Sequence, residues 1–150
     1  MTGEFDRPYQ GGFVGSEHHF ALTVYFEDTD AFGVVYHANY LRFVERARSD
    51  MLRAAGIDQA RELRTSGRAY AVVSVDIKYR RPARLGDEVQ IISSVEQLRG
   101  SSIDIQHRVM RGTELLALAD VVAAFLDRNG RPCRQPNEWV KRFNEIMVVK

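Results

Sequence analysis

The chain has 150 residues, 45% of them hydrophobic and 27% charged, with a formal net charge of +1. That length suits one domain with a real core, and the near-neutral balance gives no bulk electrostatic case for nucleic acid or a membrane surface. Cys133 is the single cysteine, so disulfides within the chain and cysteine-based metal motifs are excluded, which fits a cytoplasmic location.

Residues 1–19 are rich in glycine and polar groups and lack the basic-then-apolar pattern of a secretory signal. They are expected to form a flexible N-terminal tail ahead of a single domain over residues 20–150. His18 and His19 stand side by side in that tail, and such a pair is read as incidental; no metal site is expected. No apolar run approaches the roughly 20 residues needed to cross a bilayer. Residues 20–26, FALTVYF, are β-branched and aromatic and predict a strand. Residues 28–40, DTDAFGVVYHANY, are too polar at their start for a buried strand and too broken for a helix interior. They read as a loop turning into a helix at Tyr36 or His37.

From Tyr36 the apolar positions Tyr40, Phe43, Val44, Ala47, Met51 and Leu52 recur in steps of three and four, one face of a helix. Arg46 and Asp50 are spaced to pair on its surface. Gly56 is placed to end this helix, and Asp58 to cap a short second one over residues 59–65. The period then changes to two. Residues 70–79 predict a half-buried strand, 80–87 a turn around Pro82, and 88–99 and 101–111 two more strands. His107 falls on the apolar face of the last of these and reads as a packed histidine. After a hairpin at Gly112 and Thr113, residues 114–127 are almost continuously apolar, which suits a central strand covered on both sides. Asn137 is expected to cap a C-terminal helix over residues 138–147. This order predicts an α+β fold, one antiparallel sheet with a single long helix on one face.

The junction carries the chemistry. Helix starts expose backbone N–H groups with no internal partner, and together these carry about half a positive charge. Such an end can hold an oxyanion as charge develops on a carbonyl oxygen. Gly33 leaves room for a ligand to approach the backbone, and Asp30 can bring a carboxylate to the same small volume. A carboxylate beside an oxyanion site can hydrolyse an acyl compound, as nucleophile or as general base for water. Asp28 and Asp30 can equally be capping residues that complement the helix dipole. Glu45 lies two turns after His37 and reads as a salt-bridged surface residue. Cys133 has no recognisable catalytic partner. There is no G-x-S-x-G elbow, P-loop or G-x-G-x-x-G.

The stretch YFEDTDAFGVVYHANYLRFVERARSDML resembles the signature of the hotdog-fold acyl-CoA thioesterases, in the branch of the 4-hydroxybenzoyl-CoA thioesterases and the Tol-Pal-associated YbgC enzymes. VDIKYRRPARLGDEV and GRPCRQP extend the resemblance over about residues 20–136. It implies a hotdog fold, a long helix wrapped by an antiparallel sheet, and hydrolysis of a CoA thioester to a carboxylic acid and CoA. It assigns Asp30 as the catalytic carboxylate and the N–H of His37 as the oxyanion donor, with the His37 ring as an aid to water or the leaving group; Gly33 and Tyr36 are expected beside the substrate. Arg80, Arg81 and Arg84 are candidates for the CoA phosphates, or else a solvated basic turn. No cofactor is implied, since coenzyme A is part of the substrate. The resemblance also implies a homodimer or homotetramer with sites at subunit interfaces, and a link to an acyl carrier protein or the Tol-Pal system. The alternatives are a non-catalytic acyl-CoA-binding or acyl-carrier-protein-binding partner of an envelope complex, and a hotdog hydratase or dehydratase.

Overall fold

Period-two alternation and one amphipathic helix account for most of the architecture of the computed structural model, which describes residues 3–147. The strands are β1 (Gly12–Val14), β2 (Glu17–Thr23), β3 (Ala69–Tyr79), β4 (Glu88–Leu98), β5 (Ser102–Arg111) and β6 (Glu114–Leu126). They form one sheet in the order β1-β2-β4-β5-β6-β3, with every neighbouring pair antiparallel. The helices are α1 (Asn39–Ala54), α2 (Gln59–Ser66) and α3 (Asn137–Ile146). The result is the α+β hotdog arrangement, with α1 packed on one face of the sheet.

The buried side of α1 carries Tyr40, Phe43, Val44, Ala47, Met51 and Leu52, the stripe its spacing predicts. Each large side chain buried there contributes roughly 1.5–3 kcal/mol. Two apolar clusters result. One joins the first half of α1 to Val24, Val35, Ile91 and Val109. The other joins its second half to Val95, Ile105, Phe125 and α3 through Trp139 and Phe143. Between them runs a buried polar row, with Ser93 paired to His18 on β2 and to His107 on β5. His107 is packed, as its apolar strand face suggests, and its Nδ1 lies 2.6 Å from Ser93 Oγ.

Several expectations change. The sheet begins well before residue 20, so residues 12–19 are not tail: β1 and the start of β2 pair there. His18 drives this. It is fully buried, and its Nε2 lies 2.8 Å from Asp50 Oδ2. Asp50 also accepts from the Gly11 N–H at 2.9 Å and from Arg53 Nε at 3.0 Å, so it turns towards the N-terminal segment and not to Arg46. His18 and His19 are consecutive on a strand and point to opposite faces, so they do not form a pair of ligands. Strand β2 ends at Thr23, and residues 26–28 form a 3-10 turn in place of more strand. β6 is internal to the sheet, but its burial alternates, because the single long helix covers only one face. β3, expected to be half-buried, is an edge strand with most residues exposed. Asn137 is the first residue of α3 and Pro136 its cap.

Candidate active site

Asp28, Asp30, Gly33, Tyr36 and His37 are gathered by two clipped turns. Val24 exchanges backbone hydrogen bonds with the 84–87 turn, its N–H donating to Asp87 C=O at 2.9 Å and its C=O accepting from Gly86 N–H at 3.0 Å. Opposite, Val34 bridges Arg84, and Leu85 N–H donates to Gly33 C=O at 3.0 Å. The loop is therefore stapled on both sides while its tip faces solvent. Gly33 sits at φ +73°, with nothing within 4 Å of where a Cβ would stand. The turn needs glycine for its backbone angle, and the space in front of it is open.

The two aspartates separate in role. Asp28 accepts from the Tyr25 N–H at 2.9 Å and from Asn39 Nδ2 at 2.8 Å, so both its oxygens are engaged at the start of α1. Asp30 is exposed, and only its Oδ1 is held, by the Phe32 N–H at 2.8 Å. Its other oxygen has no partner among the described residues. The tight Asx-type turn fixes the carboxylate's direction without neutralising it.

Helix α1 starts at Asn39, two to three residues later than expected. The reason is that Val34–Tyr36 are drawn into extended pairing. Val35 N–H donates to Ala83 C=O at 2.8 Å and Tyr36 N–H to Asp28 C=O at 3.0 Å. His37 and Ala38 then form a turn closed by Asn39 N–H to Tyr36 C=O at 2.8 Å. His37 is thus just outside the helix, exposed, and its N–H donates to no acceptor among the described residues. Its ring lies 4.6 Å from that of Tyr36.

Two adjoining grooves divide these residues. One, of about 320 Å³, holds Asp30 and Tyr36 with Ala38, Asn39 and Arg42. The other, of about 260 Å³, holds His37 with Tyr40, Tyr79, Arg80 and Arg81. Arg81 pairs with Glu114 at 3.3 Å. Arg84 lines neither groove and lies beside Gly33, across from Val34. Glu45 pairs with Arg48 and does not line them. Tyr79 was not singled out from the sequence, yet its hydroxyl donates to His37 C=O at 2.8 Å and locks the turn. The two residues are 42 positions apart, and the only hint was Tyr79's place at the end of an alternating strand. Desolvation of the hydroxyl raises Tyr40, which is buried, and also Tyr79, whose ring is part-exposed, above the ordinary phenol value. Among the described residues no group of three or more His, Cys, Asp or Glu side chains could hold a metal ion.

Residues 24–143 match the thioesterase-like superfamily, the 4HBT group. The chain belongs to this family of thioester hydrolases. It is 38% identical over 128 residues to an acyl-CoA thioesterase YbgC from Haemophilus influenzae, covering 85% of this chain and 94% of that protein. A probable thioesterase from Bartonella henselae superposes with a TM-score of 0.77 at 32% identity, covering 80% of this chain and 99% of the other. A 1,4-dihydroxy-2-naphthoyl-CoA thioesterase from Synechocystis shares the fold, with a TM-score of 0.80 at 20% identity over 86% of this chain and 96% of that one. The family match begins at residue 24, so β1, β2 and the segment before them lie outside it.

Proposed function

We propose that the protein hydrolyses the thioester of an acyl-CoA, releasing a carboxylic acid and CoA. The observation that carries this reading is the arrangement around residues 28–39. One carboxylate is fixed by a single hydrogen bond with its second oxygen free, and a backbone N–H without a partner stands just before a helix start. The thioester carbonyl oxygen accepts from the His37 N–H, and the positive end of α1 stabilises the charge that develops there. Asp30 either attacks the carbonyl carbon, giving a mixed anhydride that water then cleaves, or takes a proton from the water that attacks. In both routes the C–S bond breaks, the sulfur leaves as thiolate, and the proton from water ends on it. Tyr79 holds the His37 turn in place. Arg80 and Arg81, beside His37, supply positive charge for the CoA phosphates. Water is the only co-substrate, so no cofactor is invoked. A cytoplasmic location accompanies the proposal, since one cysteine allows no internal disulfide.

We infer further that the working unit is a homo-oligomer built through β3. Asp30 and His37 line separate shallow grooves in one chain, and His37 lies next to the end of the unpaired β3 edge through Tyr79. A second subunit on that edge would wall the cleft. The test is turnover of a panel of CoA esters by the wild type and by Asp30→Asn. Undiminished turnover in the variant sinks the assignment, and no turnover of any ester by the wild type favours a binding role. Single-turnover hydrolysis in isotopically labelled water separates the two routes, because label enters Asp30 only through the anhydride.

A further inference from the structure

We propose that the acyl group of the substrate lies in a groove between the N-terminal segment and α1, and that Tyr9 selects for bulky apolar acyl groups; this rests on the thioesterase reading above. The groove measures about 520 Å³ and is lined by Tyr9, Phe20, Leu22, Tyr25 and Phe43, with Arg46 on its α1 side. That volume is in the range of small-molecule sites, and beside the apolar side chains the lining includes Thr23, Glu27, Asp28, Glu88 and Gln90. Phe43 is fully buried, and Phe20 and Leu22 pack on the first core cluster, so the floor is rigid. Tyr9 is 59% exposed and forms the outer wall.

Continuity with the reacting groups comes from two residues. Glu27 and Asp28 line both this groove and the one holding Asp30. Along α1 the lining passes from Asn39 and Arg42 to Phe43 and Arg46, one helical turn further on. A substrate with its thioester at Asp30 can therefore run its acyl group along the helix towards Tyr9. Arg42 and Arg46, which line the two grooves, have no ion-pair partner among the described residues.

The groove also has an occupied edge. β1 pairs β2 only at residues 17–19, leaving Phe20–Thr23 without a strand neighbour on that side. Tyr9 fills part of this gap. Its hydroxyl accepts the Ala21 N–H at 3.2 Å, and its ring meets Phe20 edge-on at 5.3 Å between centroids. That ring and hydrogen bond obstruct addition of a peptide strand, while they build an aromatic wall against which an apolar chain can lie. The wall comes from a segment that precedes the family match.

The test compares wild type, Tyr9→Ala and Tyr9→Phe on acetyl-CoA and octanoyl-CoA, and measures binding of S-octyl-CoA, a thioether that cannot be hydrolysed. Tyr9→Ala should raise KM for octanoyl-CoA about tenfold and weaken S-octyl-CoA binding about as much, given the apolar area an aromatic wall covers. Acetyl-CoA turnover should stay within about twofold. Tyr9→Phe keeps the ring and should restore octanoyl-CoA values. Equal loss on both esters, or no change on either, overturns the groove. So does a crystal structure that places the octyl chain anywhere but between Tyr9 and Phe43. If the wild type hydrolyses neither ester, the thioesterase reading falls, and thioether binding by wild type against Tyr9→Ala still decides the groove.

Discussion

The two edges of the sheet are finished in opposite ways. At one, the short strand β1 and the segment before it close over β2, and the closure is anchored to α1 through Asp50, which holds His18, Gly11 and Arg53. At the other, β3 runs eleven residues with no neighbour beyond β6 among the described residues. Val72, Val73, Val75 and Tyr79 are all exposed there, Val73 at 61% in a bulge. Long, flat, apolar edges template association, and proteins that stay single usually blunt them. This protein blunts one edge and leaves the other sticky. The closed edge borders the groove proposed for the acyl group, and the open edge is the one through which the proposed oligomer would form.

The largest effect should come from removing the reacting group while leaving both edges intact. Asp30→Asn is expected to lower kcat/KM by at least about 100-fold, roughly 2.7 kcal/mol of transition-state stabilisation. Because Asp30 is exposed and makes one hydrogen bond, its thermal unfolding midpoint should hardly move. A large drop in both would make Asp30 a structural residue.

Acid should loosen the closed edge and the polar row behind it. Burial lowers His18 below its ordinary value even though Asp50 opposes the shift, and burial pushes His107 down to about 3. The fold holds His107 neutral and disfavours the charged form of His18, while the unfolded chain protonates both near 6.5. The unfolded state therefore binds more protons as pH falls from about 6.5 towards 3, and stability drops with it. The slope for His107 alone is about 1.4 kcal/mol per pH unit. Denaturant melts between pH 7 and 4.5 should show this loss, and His107→Gln should flatten it. A pH-independent midpoint over that window would show that neither ring is held neutral.

A charge on the open edge tests the other half of the comparison. Val75→Lys should weaken self-association by about tenfold or more and lower turnover in parallel, read by light scattering and activity at matched concentrations. A variant that stays associated and active would move the interface elsewhere. The smallest effect is expected at the loop tip. Gly33→Ala forces a side chain into a left-handed backbone angle and should cost about 1 kcal/mol, measured by denaturation.

Much of this was legible in the chain. The i, i+3, i+4 stripe of α1 and the alternation in β4 and β5 describe faces that bury themselves locally, so their periods show in any window of ten residues. The spacing of Asp28, Asp30, Gly33 and His37 marks a junction, and what distinguishes the two aspartates in the structure is that both oxygens of Asp28 are engaged and one of Asp30. The start of α1 was misplaced because backbone partners from Asp28 and Ala83 hold Val35 and Tyr36 extended. The N-terminal strands were missed because a glycine-rich, polar segment carries no strand period. Its place rests on pairing with β4, on Phe13 packed against the second core cluster and on a buried histidine meeting an aspartate 32 residues away.

Most of the helices and strands and the class of fold can be read from the sequence, and so can the candidacy of Asp30 and the helix start, because each depends on residues close together in the chain. Tertiary structure alone decided which sheet edge is closed and which open. It also decided that Tyr79 locks His37 and that Tyr9 walls a groove leading from Asp30. Those facts rest on pairings across tens of residues, where no local period records which side chains will meet.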